Sequence, residues 1–305
     1  MCLSIINSHI RDKNLIFYKR NHKYEVVNDR SNKYLSVTSW AKTFFEVFDA
    51  DLVIKRMMAS DKWCPDNKYW GMSVEEIKRV WNKAGIESSC AGTKLHNDIE
   101  RFMNLKFLVE DEEKHKDLVD KTSNVIRHID LLNEYNKNKE KYRFPLDSIE
   151  WNYFINFVKE NEYLLPYRTE WMIYDEDIKI AGSVDMIYKN EDGSFDIYDW
   201  KRCKEIVKDN NYNKYAQHNC LTHIPSTNYY QYALQLNIYK KILESKYLMV
   251  IRNLYLVRLH PEGDNYELIN LPILESEMEL LYSERIVLHE SSPMCPLPSE
   301  HTNSL

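Results

Sequence analysis

No stretch of this 305-residue chain approaches the roughly 18 consecutive apolar residues of a membrane-spanning helix, so no membrane span is expected. The N-terminus also lacks the basic-then-apolar order of a secretory signal. Six cysteines, at positions 2, 64, 90, 203, 220 and 295, are scattered without one C-x-x-C pair. That spacing excludes a disulfide framework and implies a reducing compartment. The expectation is a soluble intracellular protein of cytoplasm or nucleus, or a viral protein in a host cell. Positive charge is not in excess either. A net charge of −6 argues against a surface coated in lysine and arginine to grip a duplex everywhere, although a local basic cleft is compatible with it. Much of the acid excess sits in runs such as 110–113 and 275–284, which read as solvated helix faces. Glycine is scarce (6 residues) and tyrosine abundant (22), a compositional bias rather than a chemical signal. No internal repeat is present.

What is present changes period along the chain. Residues 15–38 read as short strands at 15–18, 23–27 and 34–38, with a turn at 28–32. Ser39 is positioned to cap a helix over 40–48, and a second helix covers 50–59. Ser73 and Glu76 have the spacing of a capping box that opens a helix to about 84. A separate helix over 91–106 carries Leu95, Ile99, Phe102 and Met103 at helical spacing. A long charged helix follows at 112–139, then an aromatic-rich one at 147–163. From there the pattern becomes alternating: strands at 167–174, 178–189 and 194–201, joined by Asp175–Asp177 and Asn190–Gly193. A polar, glycine-free loop at 205–228 leads to a helix at 229–244, strands at 249–259 and 265–272, and a helix at 275–289. The tail 291–305 reads as disordered. By length and pattern the chain divides into N-terminal strands and helices (1–90), which form a candidate DNA-gating region, a core (91–290) and the tail.

The chemistry concentrates on three neighbouring strands. Alternation puts Asp199 and Lys201 on one face of a strand and Trp200 on the other, against the core. Asp185 lies on the preceding strand and Glu170 on the one before it. Phosphodiester hydrolysis needs the charge of its transition state offset and a deprotonated water near neutral pH, and one or two Mg²⁺ ions supply both. Asp185 and Asp199 are the primary oxygen ligands in this reading, with the Trp200 carbonyl as a third. Lys201 orients or helps to deprotonate the attacking water and favours the anionic transition state. An isolated D-x-K is weak evidence, since an exposed cross-strand ion pair has the same pattern; the apolar context of 197–201 counts against that alternative. Gln231, Gln235 and Tyr239 recur at i, i+4 and i+8, as one polar stripe that faces either the site or solvent. His96 and Glu100 are also four apart. Spacing alone leaves His96 either structural or a metal or phosphate ligand. His218, Cys220 and His223 offer three zinc-type ligands without a fourth, so no zinc site is expected. Cations and aromatics alternate in the 205–228 loop and its approach, at Lys204, Lys208, Tyr212, Lys214, Tyr215 and His218. They read equally well as a single-strand track or as an ordinary crossover.

Five segments in order carry a resemblance: Gly92 to Glu100, Thr169–Trp171, Ala181 to Ile187, Asp199–Lys201, and Gln231 with Gln235 and Tyr239. Over about residues 90–260 the chain resembles the RecB-like branch of the PD-(D/E)XK nuclease superfamily. Within it, the chain is similar to mitochondrial genome maintenance exonucleases and related viral exonuclease-like proteins. The resemblance implies an α/β (α+β) fold, with a restriction-endonuclease-like mixed central sheet flanked by helices and a helical N-terminal region. It implies metal ligation by His96, Asp185 and Asp199, and a catalytic Lys201. It also implies Glu170 as a metal or water-network group, and Gln235 and Tyr239 as supports for the lysine or contacts to DNA. Gln231, Arg202 and Lys204 are the candidate DNA contacts. The proline that names the superfamily is Val184 here. Some relatives hold an iron–sulfur cluster on four cysteines, and this chain lacks that spacing, so none is expected. The implied function is Mg²⁺- or Mn²⁺-dependent exonuclease action on single-stranded or frayed DNA in replication, recombination or repair. The alternatives are a structure-specific endonuclease and a catalytically inactive nucleic-acid-binding protein, with an RNA substrate left open.

Overall fold

The structure is a computed structural model that describes residues 2–105, 126–210 and 213–290. The described residues form a six-stranded mixed sheet flanked by helices, with no closed barrel, beside a small two-stranded ribbon. The ribbon pairs β1 (Leu15–Tyr18) with β2 (Lys23–Val26) antiparallel. The main sheet contains β3 (Leu35–Ser36), β4 (Leu165–Asp175), β5 (Ile180–Lys189), β6 (Phe195–Lys201), β7 (Ile251–Arg258) and β8 (Glu267–Asn270). Antiparallel pairing joins β4 to β5, β5 to β6 and β7 to β8, while β3–β5 and β6–β7 are parallel.

A parallel β6–β7 pair requires a crossover, and the helix Asn228–Tyr247 supplies it. Among the described residues the α-helices are, in chain order, α1 (Cys2–Ile6), α2 (Val37–Thr43), α3 (Ala50–Met58), α4 (Val74–Met103), α5 (His128–Asn138), α6 (Ile149–Glu160), α7 (Asn228–Tyr247) and α8 (Glu275–Glu290). They cover the sheet as two layers. One apolar cluster joins α2, α7 and α8 to Trp171, Val184, Ile197, Leu254 and Leu256. The other joins the C-terminal half of α4, α5 and α6 to Met186, Tyr188, Tyr198, Trp200 and Val257. Burying both faces of the strands explains their apolar content and their low tolerance of unpaired charge.

Several sequence expectations need correction. The helices expected at 73–84 and 91–106 are one helix, α4, running from Val74 to Met103 through Gly85 and Gly92. Each glycine costs roughly 1 kcal/mol relative to alanine in a helix interior. Burial of Leu95, Ile99, Phe102 and Met103 at one end and Ile77 at the other outweighs this. The capping box at its start is present, with Ser73 N–H donating to Glu76 Oε2 (2.7 Å) and Glu76 N–H to Ser73 Oγ (3.3 Å). The strand expected at 34–38 stops at Ser36, and α2 begins at Val37 with Ser36 as its cap, not Ser39. Ser36 Oγ accepts the Ser39 N–H at 3.0 Å, because the serine three residues ahead of an orphan donor is the one in reach. Of the helix expected at 112–139, residues 128–138 are α5 and residues 112–125 lie outside the described residues, as do Tyr212 and the tail 291–305. The turn Asn190–Gly193 closes β5 onto β6 as its composition predicts, with Gly193 at φ +86°. Among the described residues no helix is long and apolar enough to cross a membrane.

Candidate metal centre

The site forms where two strands part. The β5–β6 ladder ends at Met186↔Tyr198, one residue short of Asp185 and Asp199. On the far side of that gap, β3 stops pairing with β5 at Ala181. Residues 182–185 therefore have β4 on one edge and an opening on the other. The Trp200 N–H, which a continuing ladder would have used, donates instead to Asp185 Oδ2 at 3.0 Å. The carboxylate is thereby fixed in the opening. Thr169 holds the same residue from behind, donating its hydroxyl to the Asp185 carbonyl at 3.0 Å.

Helix α4 arrives from one layer with His96. Its Nε2 is 3.0 Å from the Trp200 carbonyl oxygen, which can only accept, so Nε2 carries a proton and donates. The other nitrogen, Nδ1, faces two carboxylates, Glu170 Oε1 at 3.4 Å and Asp185 Oδ2 at 3.6 Å. Glu170 sits inside β4 with φ +45°, a left-handed conformation that costs a residue with a Cβ of order 1–3 kcal/mol. There it accepts the Ser183 hydroxyl at 3.1 Å. Strain stored at that point aims the carboxylate toward His96 and out of the strand's ordinary alternation.

His96, Glu170 and Asp185 bring one ligand atom each within 4.8 Å of one another. One imidazole and two carboxylates suit a divalent cation and select no particular metal. The structure divides the sequence's ligand list accordingly. His96, Asp185 and Glu170 converge. The Trp200 carbonyl is engaged by His96, and the Asp199 carboxylate turns to α7, where Gln235 Nε2 donates to Oδ1 at 3.2 Å and Lys201 forms an ion pair with Oδ2. Trp200's ring packs edge-on against Phe154 and Phe157 on the opposite face, as alternation predicts.

Charges in this opening control each other. Burial opposes a positive His96, but the fields of Asp185 and Glu170 outweigh it and push the imidazole up to about 9. Burial and the nearby Asp185 push Asp199 up to about 6. Burial likewise raises Asp185 from the usual carboxylate range. Lys201 is held above the usual lysine value: burial opposes its charge, and Asp199 with Asp185 more than compensates. Lys201 is thus held as a cation near neutral pH in the metal-free protein, which weighs against the proton-accepting role the sequence leaves open. Its Nζ also lies 4.7 Å from the Tyr232 ring centroid.

The elevated His96 has a consequence for stability. Its folded value of about 9 exceeds the ordinary 6.5, so the stabilisation is complete below pH 6.5 and is lost as pH rises through 9. With each unit worth 1.36 kcal/mol, the loss for metal-free protein should reach roughly 3 kcal/mol. Denaturant unfolding in chelator at pH 6.5 and 9.5 measures it, and His96→Gln should flatten the difference; an equal loss in the variant would refute the assignment.

Tyr239, from the polar stripe of α7, lies against Gly182. A Cβ at 182 would stand 2.7 Å from Tyr239 Cε1 and 3.0 Å from Val37 Cγ2. Glycine is required there by close approach, not by backbone conformation. Gly182→Ala should cost about 1–3 kcal/mol by overpacking; the additional change Tyr239→Leu should recover part of it, and no recovery would show the strain lies elsewhere.

The expected DNA contacts are unequal. Arg202 is committed to Glu150 at 2.8 Å and Lys204 pairs with Glu262 at 2.5 Å on the surface. Lys214 pairs with Glu46, and Lys208 lies over the Tyr229 ring, so the loop's cations are largely engaged by neighbours. His218 and His223 point to separate acids, Glu284 and Glu277, each at 2.9 Å, and form no metal group with Cys220 among the described residues. Gln231, by contrast, lines a cavity of about 500 Å³ with Asp185, Lys201 and Gln235. Sequence reasoning missed Tyr232, whose signal was present: with Gln235 and Tyr239 it forms an i, i+3, i+7 stripe. It also missed Tyr24, Thr38 and Lys42, which line the same cavity from far away in the chain and carry no local signal.

No family model matches the chain, and no curated protein matches it. A solved structure titled "Crystal structure of SSO0001" is 18% identical over 67% of this chain and 89% of that one, with a TM-score of 0.24. A likeness at that level carries no argument about fold family or chemistry.

Proposed function

We propose that this protein is a divalent-metal-dependent deoxyribonuclease of the PD-(D/E)XK type, acting as an exonuclease on single-stranded or frayed DNA. The observation that carries the reading is the opening between β5 and β6. There His96, Glu170 and Asp185 converge on one side, and a buried Asp199–Lys201 pair lies on the other. A Mg²⁺ or Mn²⁺ ion held by the three converging residues would offset phosphate charge and lower the pKa of bound water. The remaining roles belong to the chain. The Lys201 ammonium, kept charged by Asp199 and Asp185, attracts the scissile phosphate and stabilises its growing negative charge. Gln235 and Tyr232 hold the pair in place from α7. His96 ties the site to the β6 backbone through Trp200, and Ser183 and Thr169 orient Glu170 and Asp185. Filled charged positions weigh against a decayed, binding-only protein.

Incubation with 5′-labelled linear and circular single-stranded DNA, with Mg²⁺ or Mn²⁺, tests the proposal. Metal-dependent loss of the linear substrate alone is expected. Cutting of the circle would identify an endonuclease, and survival of both would remove the nuclease assignment.

A further inference from the structure

The reacting groups account for one end of the 500 Å³ cavity and leave its other walls unexplained. Asp199, Lys201 and Gln235 satisfy one another. Around the rest of the cavity stand Tyr24 from β2, Lys42 from α2, and Gln231 and Tyr232 from α7. Three of these are without partners. Among the described residues, the Tyr24 hydroxyl and the Gln231 amide make no side-chain hydrogen bond, and the Lys42 ammonium makes no ion pair. Tyr24 is 8% exposed as a residue, and its side chain lines the cavity. Polar groups that face a cavity without a protein partner are free to hydrogen-bond a ligand there.

The unpartnered groups specify the ligand's chemistry. Tyrosine rings offer stacking faces for a flat heterocycle. A glutamine amide both donates and accepts, as the edge of a nucleobase does. An unpaired ammonium at the cavity suits a phosphate. The volume lies in the lower half of the range for small-molecule pockets, room for one such unit rather than a run of strand. We infer that this cavity seats a single nucleotide of the substrate strand, its base against Tyr24, Tyr232 and Gln231 and its phosphate toward Lys42. The inference rests on the nuclease reading and adds to it a subsite that is built jointly by the N-terminal elements and α7.

Binding of the four deoxynucleoside 5′-monophosphates and of deoxyribose 5-phosphate to the full chain, by calorimetry in chelator, tests it without cleavage. Saturable one-to-one binding of the monophosphates is expected, with deoxyribose 5-phosphate at least about tenfold weaker for want of a base. Lys42→Ala and Gln231→Leu should each weaken the monophosphates about tenfold with unchanged unfolding temperature. No saturable binding, equal affinity for deoxyribose 5-phosphate, or unaltered affinity in both variants would overturn the subsite. Cleavage of linear DNA without monophosphate binding removes the subsite alone. Monophosphate binding without cleavage keeps the subsite and removes the nuclease.

Discussion

Asp185→Asn is expected to lower metal-dependent cleavage of linear single-stranded DNA by roughly 10²–10³-fold, the scale of losing one preorganised electrostatic contact, while making the metal-free protein more stable. The two effects have one cause. Asp185 is buried beside Glu170, and burial raises its pKa even against the opposing fields of His96 and Lys201, so on balance the folded chain disfavours the charge it carries. Asparagine keeps the volume and an oxygen for the Trp200 N–H, now bonded to Asp185 Oδ2. It removes the charge that a cation needs. A carboxylate whose folded value is raised makes its unfavourable contribution at pH values above its ordinary range, so the gain in stability should appear at pH 7 and shrink toward pH 4. Cleavage assays beside denaturant unfolding in chelator measure both. Wild-type cleavage by the variant would end the metal-centre assignment; lost cleavage with lower stability would show that Asp185 is a structural charge.

The second large effect concerns the Asp199–Lys201 pair. Asp199 is 1% exposed and its partner's side chain only 17%. Removing one member of such a pair leaves an uncompensated buried charge, a cost of about 3–5 kcal/mol, whereas replacing both by apolar groups is often nearly neutral. Asp199→Ala should therefore be inactive and strongly destabilised. The double variant Asp199→Leu with Lys201→Met should be equally inactive but recover most of the lost stability. Denaturant midpoints of the wild type, of the single variants Asp199→Leu and Lys201→Met, and of the double variant close the cycle. Additive losses would mean that the two side chains do not interact in the folded protein.

How far the site was legible follows from the range of the forces that build it. Strand alternation placed Asp199 and Lys201 on one face and Trp200 on the other, and the structure has Trp200 in the α6 layer and Lys201 under α7. Hairpin composition at 190–193 brought β5 and β6 together, and helical spacing put Gln235 and Tyr239 on one side of α7. These are local properties, encoded within a few residues. The unbroken α4 was missed because Gly85 and Gly92 weaken a helix locally, while its support comes from apolar residues buried at its two ends. The left-handed Glu170 was invisible for a similar reason, since no local preference favours that conformation in a strand.

By itself the sequence determined the elements and the candidate acids, because backbone periodicity and turn chemistry act over short spans. Tertiary structure decided which acids meet. It parted β5 from β6 at Asp185, turned Asp199 toward Lys201, and brought Tyr24 and Lys42 to a cavity shared with α7. The last of these joins residues more than a hundred positions apart, and all of them are set by burial and charge pairing between separate elements, which outweigh local preference.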